Sequence, residues 1–223
     1  MSVHVPLLTP THVIFDLDGT LLDTEPLYTI AAQAVVERFG KTYDWDIKRQ
    51  IMGGGPLAGA RFVVEALELP ITPEEYLVER EVVLAELCKA ARPMPGAQRL
   101  IDRLLERGIP LGIGTSSSRD ICELKLSVQP FGSCFTVVVC SDDPEVRDAK
   151  PAPDIFLCAA RRLGAEPERC LVFEDTPKGV QAARSARMAV IAVPDPNMLD
   201  EDFAGAWRVV ASLEQITLSE LGL

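Results

Sequence analysis

His12-Val13-Ile14-Phe15-Asp16-Leu17-Asp18-Gly19-Thr20 is the stretch that decides the fold. A short apolar run stops at two acids and a glycine, which reads as a buried strand running out into a polar loop. Similar runs recur at 110–115, 136–140, 170–173, 189–193 and 208–211. Between them lie helical patterns. Leu100, Ile101, Leu104 and Leu105 stop at Gly108, and Ile155, Phe156, Ala159, Ala160 and Leu163 stop at Gly164. A glycine just past each end supplies the left-handed cap. Strands alternating with helices of this length pair in parallel through right-handed crossovers. The expected class is therefore α/β, with a Rossmann-like parallel sheet.

The alternation breaks from about 24 to 92, where only helical periods occur: 27–39, 44–52, 57–68 and 73–90. In the last, Tyr76, Leu77, Val83, Leu84, Leu87 and Cys88 form an apolar stripe in which Arg80 is the polar exception. Thr72-Pro73-Glu74-Glu75 reads as its start, with a cap, an early proline and early acids. The expected organisation is a core of 1–23 and 93–223 with a helical insert at 24–92. The turn between the helix at 176–186 and the next strand has Arg187 where a glycine is expected, at a cost of about 1 kcal/mol or more if it is left-handed.

Composition narrows the function. The chain has 223 residues, 48% of them hydrophobic, and 22 Lys+Arg against 33 Asp+Glu, a net charge of −11. That balance disfavours a nucleic-acid polymer as partner. The two histidines, His4 and His12, make a histidine-rich zinc site or a Ser-His-Asp triad a poor fit. The six cysteines form no C-x-x-C pair and read as buried thiols. No signal peptide and no membrane span is expected. The expectation is a monomer in the cytoplasm, without a membrane partner.

Chemistry-bearing residues cluster at strand ends. Asp16 and Asp18 suit a metal, or a nucleophile with a neighbouring acid/base; a helix cap would explain them equally well. Thr115-Ser116-Ser117-Ser118 can hold phosphate oxygens or cap the next helix. Lys150 before Pro151-Ala152-Pro153 points inward or is a surface lysine, and Asp154 reads as a first-turn acid. Glu174 and Asp175 could complete an oxygen-only Mg²⁺ site with Asp16, or cap a helix that Thr176 already caps.

Taken together, D-L-D-G-T, Thr115, Lys150 and E-D, in that order, resemble the four motifs of the haloacid dehalogenase-like phosphohydrolases. The helical insert resembles that family's cap domain. Lys41-x-Tyr43-x-Trp45-Asp46-x-Lys48, Met52-Gly53, Met94-Pro95-Gly96 and Asp142-Asp143-Pro144-Glu145-Val146 resemble the pseudouridine-5′-phosphatase-like branch and the glycerol-3-phosphate phosphatases. The resemblance implies a Mg²⁺-dependent phosphatase of small phosphorylated metabolites. Asp16 would be the nucleophile and would form an aspartyl-phosphate. Asp18 would be the acid/base, its backbone carbonyl on the metal. Thr115, Lys150 and Ser116 would hold the phosphoryl group, and Asp175 and Glu174 would complete the metal site. Asp18 disfavours the dehalogenases and phosphonate hydrolases of the superfamily, which lack it. Two alternatives remain at this point: a phosphosugar mutase of the β-phosphoglucomutase type, with Arg61 near the cap loop, and a non-catalytic phosphate-binding or phosphorylatable switch. Where relatives carry basic residues, this chain has Gly53-Gly54-Gly55-Pro56. Gly54 and Gly55 are expected to lie in a pliable substrate-reading loop.

Overall fold

The structure, a computed structural model, describes residues 9–198 and 203–223; His4 lies outside them. Six parallel strands form one sheet: β1 (His12–Phe15), β2 (Leu111–Gly114), β3 (Val137–Val139), β4 (Cys170–Glu174), β5 (Ala189–Ala192) and β6 (Arg208–Val209). Their order is β3-β2-β1-β4-β5-β6. The chain builds outward from β1 to β3, then returns to lay β4 on the other side of β1. That reversal makes the carboxyl end of β1 the switch point at which open α/β sheets leave a crevice.

Between β1 and β2 lie α1 (Glu25–Val36), α2 (Trp45–Ile51), α3 (Pro56–Ala66) and α4 (Pro73–Cys88). The remaining helices, α5 (Ala97–Glu106), α6 (Arg119–Ser127), α7 (Asp154–Leu163) and α8 (Pro177–Ser185), cover the sheet. Alternate residues of β1 face opposite sides. Val13 and Phe15 pack with Leu100, Ile101 and Leu104 of α5, while Ile14 packs with Phe156 of α7 and Ala183 of α8. Burial on both faces is why the strands read as continuous apolar runs rather than alternating ones.

The expected helix at 27–39 is α1 followed by a 3₁₀ turn, Glu37–Phe39, that ends on left-handed Gly40. The start of α4 is a full capping box: Glu75 N–H donates to Thr72 Oγ1 at 3.2 Å and Thr72 N–H to Glu75 Oε2 at 2.7 Å. The insert has its own apolar cluster, with Val35, Val36, Ala60, Val63 and Tyr76. A second cluster joins it to the core, with Ala31, Leu84 and Cys88 against Ile121 of α6. Where the insert leaves the core, the two connecting segments lie side by side. Asp23 N–H donates to Arg92 O at 2.9 Å and Met94 N–H to Leu21 O at 2.8 Å. All six cysteines are free. No helix among the described residues is long and apolar enough to cross a membrane.

Arg187 is left-handed, with φ of 62°. Its guanidinium pairs with Glu168 at 2.8 Å, but the Arg187 side chain is 74% exposed, and such a pair contributes little. Relief of the backbone strain should therefore outweigh loss of the pair and the entropy cost of glycine. Arg187→Gly is expected to stabilise the protein by about 0.5–1 kcal/mol, raising Tm by roughly 2–4 °C per kcal/mol. Thermal melting checks this, and a lower Tm would show that the Glu168 pair dominates.

Candidate active site

Each strand that ends at the switch point delivers a polar residue to it. Asp16 follows β1 directly, and its N–H still donates to Phe173 O at 2.9 Å, so the ladder aims the carboxylate beyond the sheet. Thr115 follows β2 and is fully buried. Glu174 ends β4 and Asp175 follows it. Lys150 arrives from the loop before α7, where Asp154 accepts from Arg147 N–H at 3.0 Å and Asp148 N–H at 3.2 Å. Asp154 thus ties down the loop that presents the lysine.

Lys150 is buried, which excludes the surface alternative. Its Nζ donates to Asp16 Oδ1 at 2.5 Å and to Glu174 Oε1 at 2.8 Å. The other oxygen of Glu174 accepts from Thr176 N–H at 2.6 Å and Thr176 Oγ1 at 3.0 Å. Both Glu174 oxygens are therefore already engaged. Asp175 differs: Oδ1 accepts from Thr20 Oγ1 at 3.4 Å, while the buried Oδ2 has no hydrogen-bond partner among the described residues. Gly19, with φ of 79°, passes so close that a Cβ there would lie 2.1 Å from this oxygen.

Asp16, Glu174 and Asp175 form a cluster that can hold a metal ion, each offering one oxygen, all within 4.8 Å of one another. Its electrostatics ask for added positive charge. Burial, opposed by Lys150 but reinforced by Glu174 and Asp18, pushes the Asp16 carboxyl up to about 7. Burial, with Glu174 and Asp16, raises Asp175 well above the usual carboxylate range. One ammonium does not neutralise three carboxylates.

The Asp18 side chain points elsewhere. Its Oδ1 accepts from Thr24 Oγ1 at 2.6 Å and Lys125 Nζ at 2.5 Å, and its Oδ2 from Ser117 Oγ at 2.7 Å. Burial alone would raise its pKa, but Lys125, Thr24 and Ser117 together hold it below the usual value. Lys125 is fully buried and also donates to Tyr28 Oη at 2.9 Å. Sequence reasoning missed Lys125, and it read Ser117 only within the phosphate-holding or capping stretch, not as a partner of Asp18. A signal existed for the first: Lys125 sits with Ile121, Cys122 and Leu126 on the buried face of α6, where a lysine has no packing reason to be.

Ser118 holds the N-cap position of α6 but makes no side-chain cap bond, so these hydroxyls are not spent on capping. Ser116 Oγ donates to Gly53 O at 3.4 Å. Gly54 and Gly55 line the same cavity as Asp16 and Thr115. Within the Gly53-Gly54-Gly55 run the strictest demand falls on Gly53: its φ is 70°, and a Cβ there would lie 2.3 Å from Thr176 Oγ1. Close approach of the insert to the core requires it.

Residues 10–187 match the model of the haloacid dehalogenase-like hydrolases. The chain belongs to that family. It is 46% identical over 217 residues to the probable pseudouridine-5′-phosphatase of Drosophila melanogaster, covering 96% of this chain and 94% of that protein. It is 42% identical over 221 residues to (DL)-glycerol-3-phosphatase 2 of Arabidopsis thaliana, covering 96% and 91%. Its fold matches the crystal structure of CbbY from Rhodobacter sphaeroides in complex with phosphate, with a TM-score of 0.84, 27% identity and coverage of 96% and 100%. The family and these phosphatase relatives make the chain an enzyme, a phosphoric monoester hydrolase.

The orphan oxygen generates a prediction that needs no activity assay. A divalent cation at millimolar concentration should raise Tm, because a ligand that binds only the native state adds about 2.7 kcal/mol at a hundred times its Kd. Asp175→Asn should remove most of that rise. Equal rises in both proteins would place the cation elsewhere.

Proposed function

We propose that the protein is a Mg²⁺-dependent phosphatase of a small phosphomonoester, working through an aspartyl-phosphate on Asp16. The observation that carries this reading is the Asp16 carboxylate at the end of β1, bonded to Lys150 and clustered with Asp175, one oxygen of which has no partner among the described residues. Asp16 attacks phosphorus in line with the leaving oxygen, and that oxygen departs with a proton from Asp18. Asp18 then takes a proton from water, which attacks the acyl phosphate and restores the Asp16 carboxylate. Thr115 and Lys150 meet the oxygens of the transferring group. Mg²⁺, held by Asp16, Asp175 and the backbone carbonyl of Asp18, would supply further positive charge against those oxygens. Glu174 acts behind Lys150, keeping the ammonium charged and aimed.

Asp18 in this arrangement is a carboxylate, the form required to activate water. To act as the acid it must exchange Lys125 for a proton. The insert provides the occasion. Tyr28, on α1 of the insert, hydrogen-bonds both Lys125 and Ser117, so moving the insert would loosen the network around Asp18. We place the lid at 24–92, with its hinges in the paired segments at 22–24 and 92–94. The mutase alternative calls for a fixed cation in the insert for a second phosphate. Arg61 is exposed and absent from the cavity wall, so it does not supply one.

Asp16→Asn is expected to cut turnover by at least a thousandfold while leaving Tm within a few degrees. Activity within tenfold of wild type would remove Asp16 as the nucleophile. Asp18→Ala should slow alkyl phosphates by roughly 10²–10⁴, and aryl phosphates, whose leaving groups need less proton assistance, much less. Equal losses on both ester types would contradict the acid role.

A further inference from the structure

The cavity above Asp16 extends into the insert, with a volume of about 110 Å³. On that side its wall includes Glu25, Lys48, Tyr76, Arg80 and Glu81. Two of these side chains are buried with a donor left over. Tyr76 is 0% exposed, and among the described residues its hydroxyl has no hydrogen-bond partner. Arg80 is 7% exposed, and its Nε has none among them either. Burial keeps the Tyr76 phenol protonated, its pKa raised to about 12, so it is available as a donor. Buried donors without partners are rare and costly in native proteins, so each calls for an explanation. Both lie on the buried face of α4, one turn apart, and Arg80 is the residue that breaks the apolar stripe there. Packing gives no reason for it.

The charges of the wall restrict what could fill the gap. The insert contributes two cations to it, and each already faces a carboxylate. Lys48 Nζ lies 3.0 Å from Glu25 Oε2, and Arg80 Nη2 lies 2.7 Å from Glu81 Oε1. The guanidinium carbon of Arg80 sits 5.7 Å from the Tyr28 ring centroid, which helps hold it in place. These four charges cancel. What they leave is hydrogen-bond donors without excess positive charge, suited to hydroxyl or carbonyl oxygens and unsuited to a second phosphate.

We propose that Tyr76 and Arg80 determine specificity by donating to an uncharged, hydroxyl-bearing leaving group, such as a polyol or sugar. This rests on the phosphatase reading above. The test measures kcat/KM for wild type, Tyr76→Phe and Arg80→Met on glycerol 3-phosphate, ribose 5-phosphate, p-nitrophenyl phosphate and fructose 1,6-bisphosphate. Wild type should prefer the first two to the bisphosphate by at least tenfold. Each substitution should lower the ratio of glycerol 3-phosphate or ribose 5-phosphate to p-nitrophenyl phosphate by about tenfold, the worth of one hydrogen bond. Tyr76→Phe removes an oxygen that bonds to no atom of the described residues, so its Tm should equal or exceed that of wild type; this variant keeps the test decisive if Arg80→Met folds poorly. Active wild type with unchanged ratios in the variants, or a preference for the bisphosphate, overturns the assignment and leaves the phosphatase reading standing. No phosphate release by wild type from any of the four esters overturns the phosphatase reading itself.

Discussion

The ammonium of Lys150 stands between the carboxylates of Asp16 and Glu174, with 1% of its side chain exposed. Much of the rest of the structure follows from the need to keep it there. A charge buried this deeply is tolerable only if it is paired and hydrogen-bonded. Asp16 is brought to it by β1, Glu174 by β4, and Lys150 itself by a loop that Asp154 ties down. The strand order puts β1 beside β4, so both carboxylates reach one ammonium from adjacent strand ends. Burial, reinforced by the neighbouring carboxylates, lifts Asp16 toward neutrality, and one oxygen of Asp175 has no hydrogen-bond partner among the described residues. A site held in this state spends folding stability on reactivity.

The insert extends that logic outward. It touches the core through apolar contacts of α1 and α4 with α6, and through polar contacts that include Ser116 Oγ to Gly53 O at 3.4 Å and Lys178 Nζ to Gln50 O at 2.7 Å. Tyr28 is the link between the two parts of the chemistry. It comes from α1, yet its hydroxyl bonds Lys125 and Ser117, the residues that hold Asp18. In the acid/base role proposed for Asp18, partners shared with the insert would let it respond if the insert moves.

Much of the fold was legible in the chain. The strands stand where the apolar runs predict them, because a parallel sheet buried on both faces needs continuous apolar residues. Helix ends at Gly40, Gly108, Gly164 and the Thr72 capping box follow from local chemistry that a sequence displays directly. Asp16, Thr115, Lys150, Glu174 and Asp175 were legible as site candidates because each sits at or near a strand end, and the structure brings them together. What could not be read were the partnerships. Whether Glu174 faces a metal or Lys150 depends on a contact across 24 residues, and the pairing of Lys125 with Asp18 on one across 107. No spacing rule encodes such contacts. Cations on otherwise apolar helix faces were the available hint. Arg80 stood out as an exception on a long stripe, whereas the same signal at Lys125, on a shorter helix, was overlooked.

In the proposed mechanism Asp16 itself takes the phosphoryl group. The most direct test is to mix enzyme with a phosphomonoester it turns over, quench in acid during the steady state, and measure the masses of its peptides. One added phosphoryl group is expected on the peptide that contains Asp16, absent from the Asp16→Asn variant. Continued turnover with no phosphoryl group on the protein, or a group carried by any other residue, would contradict it.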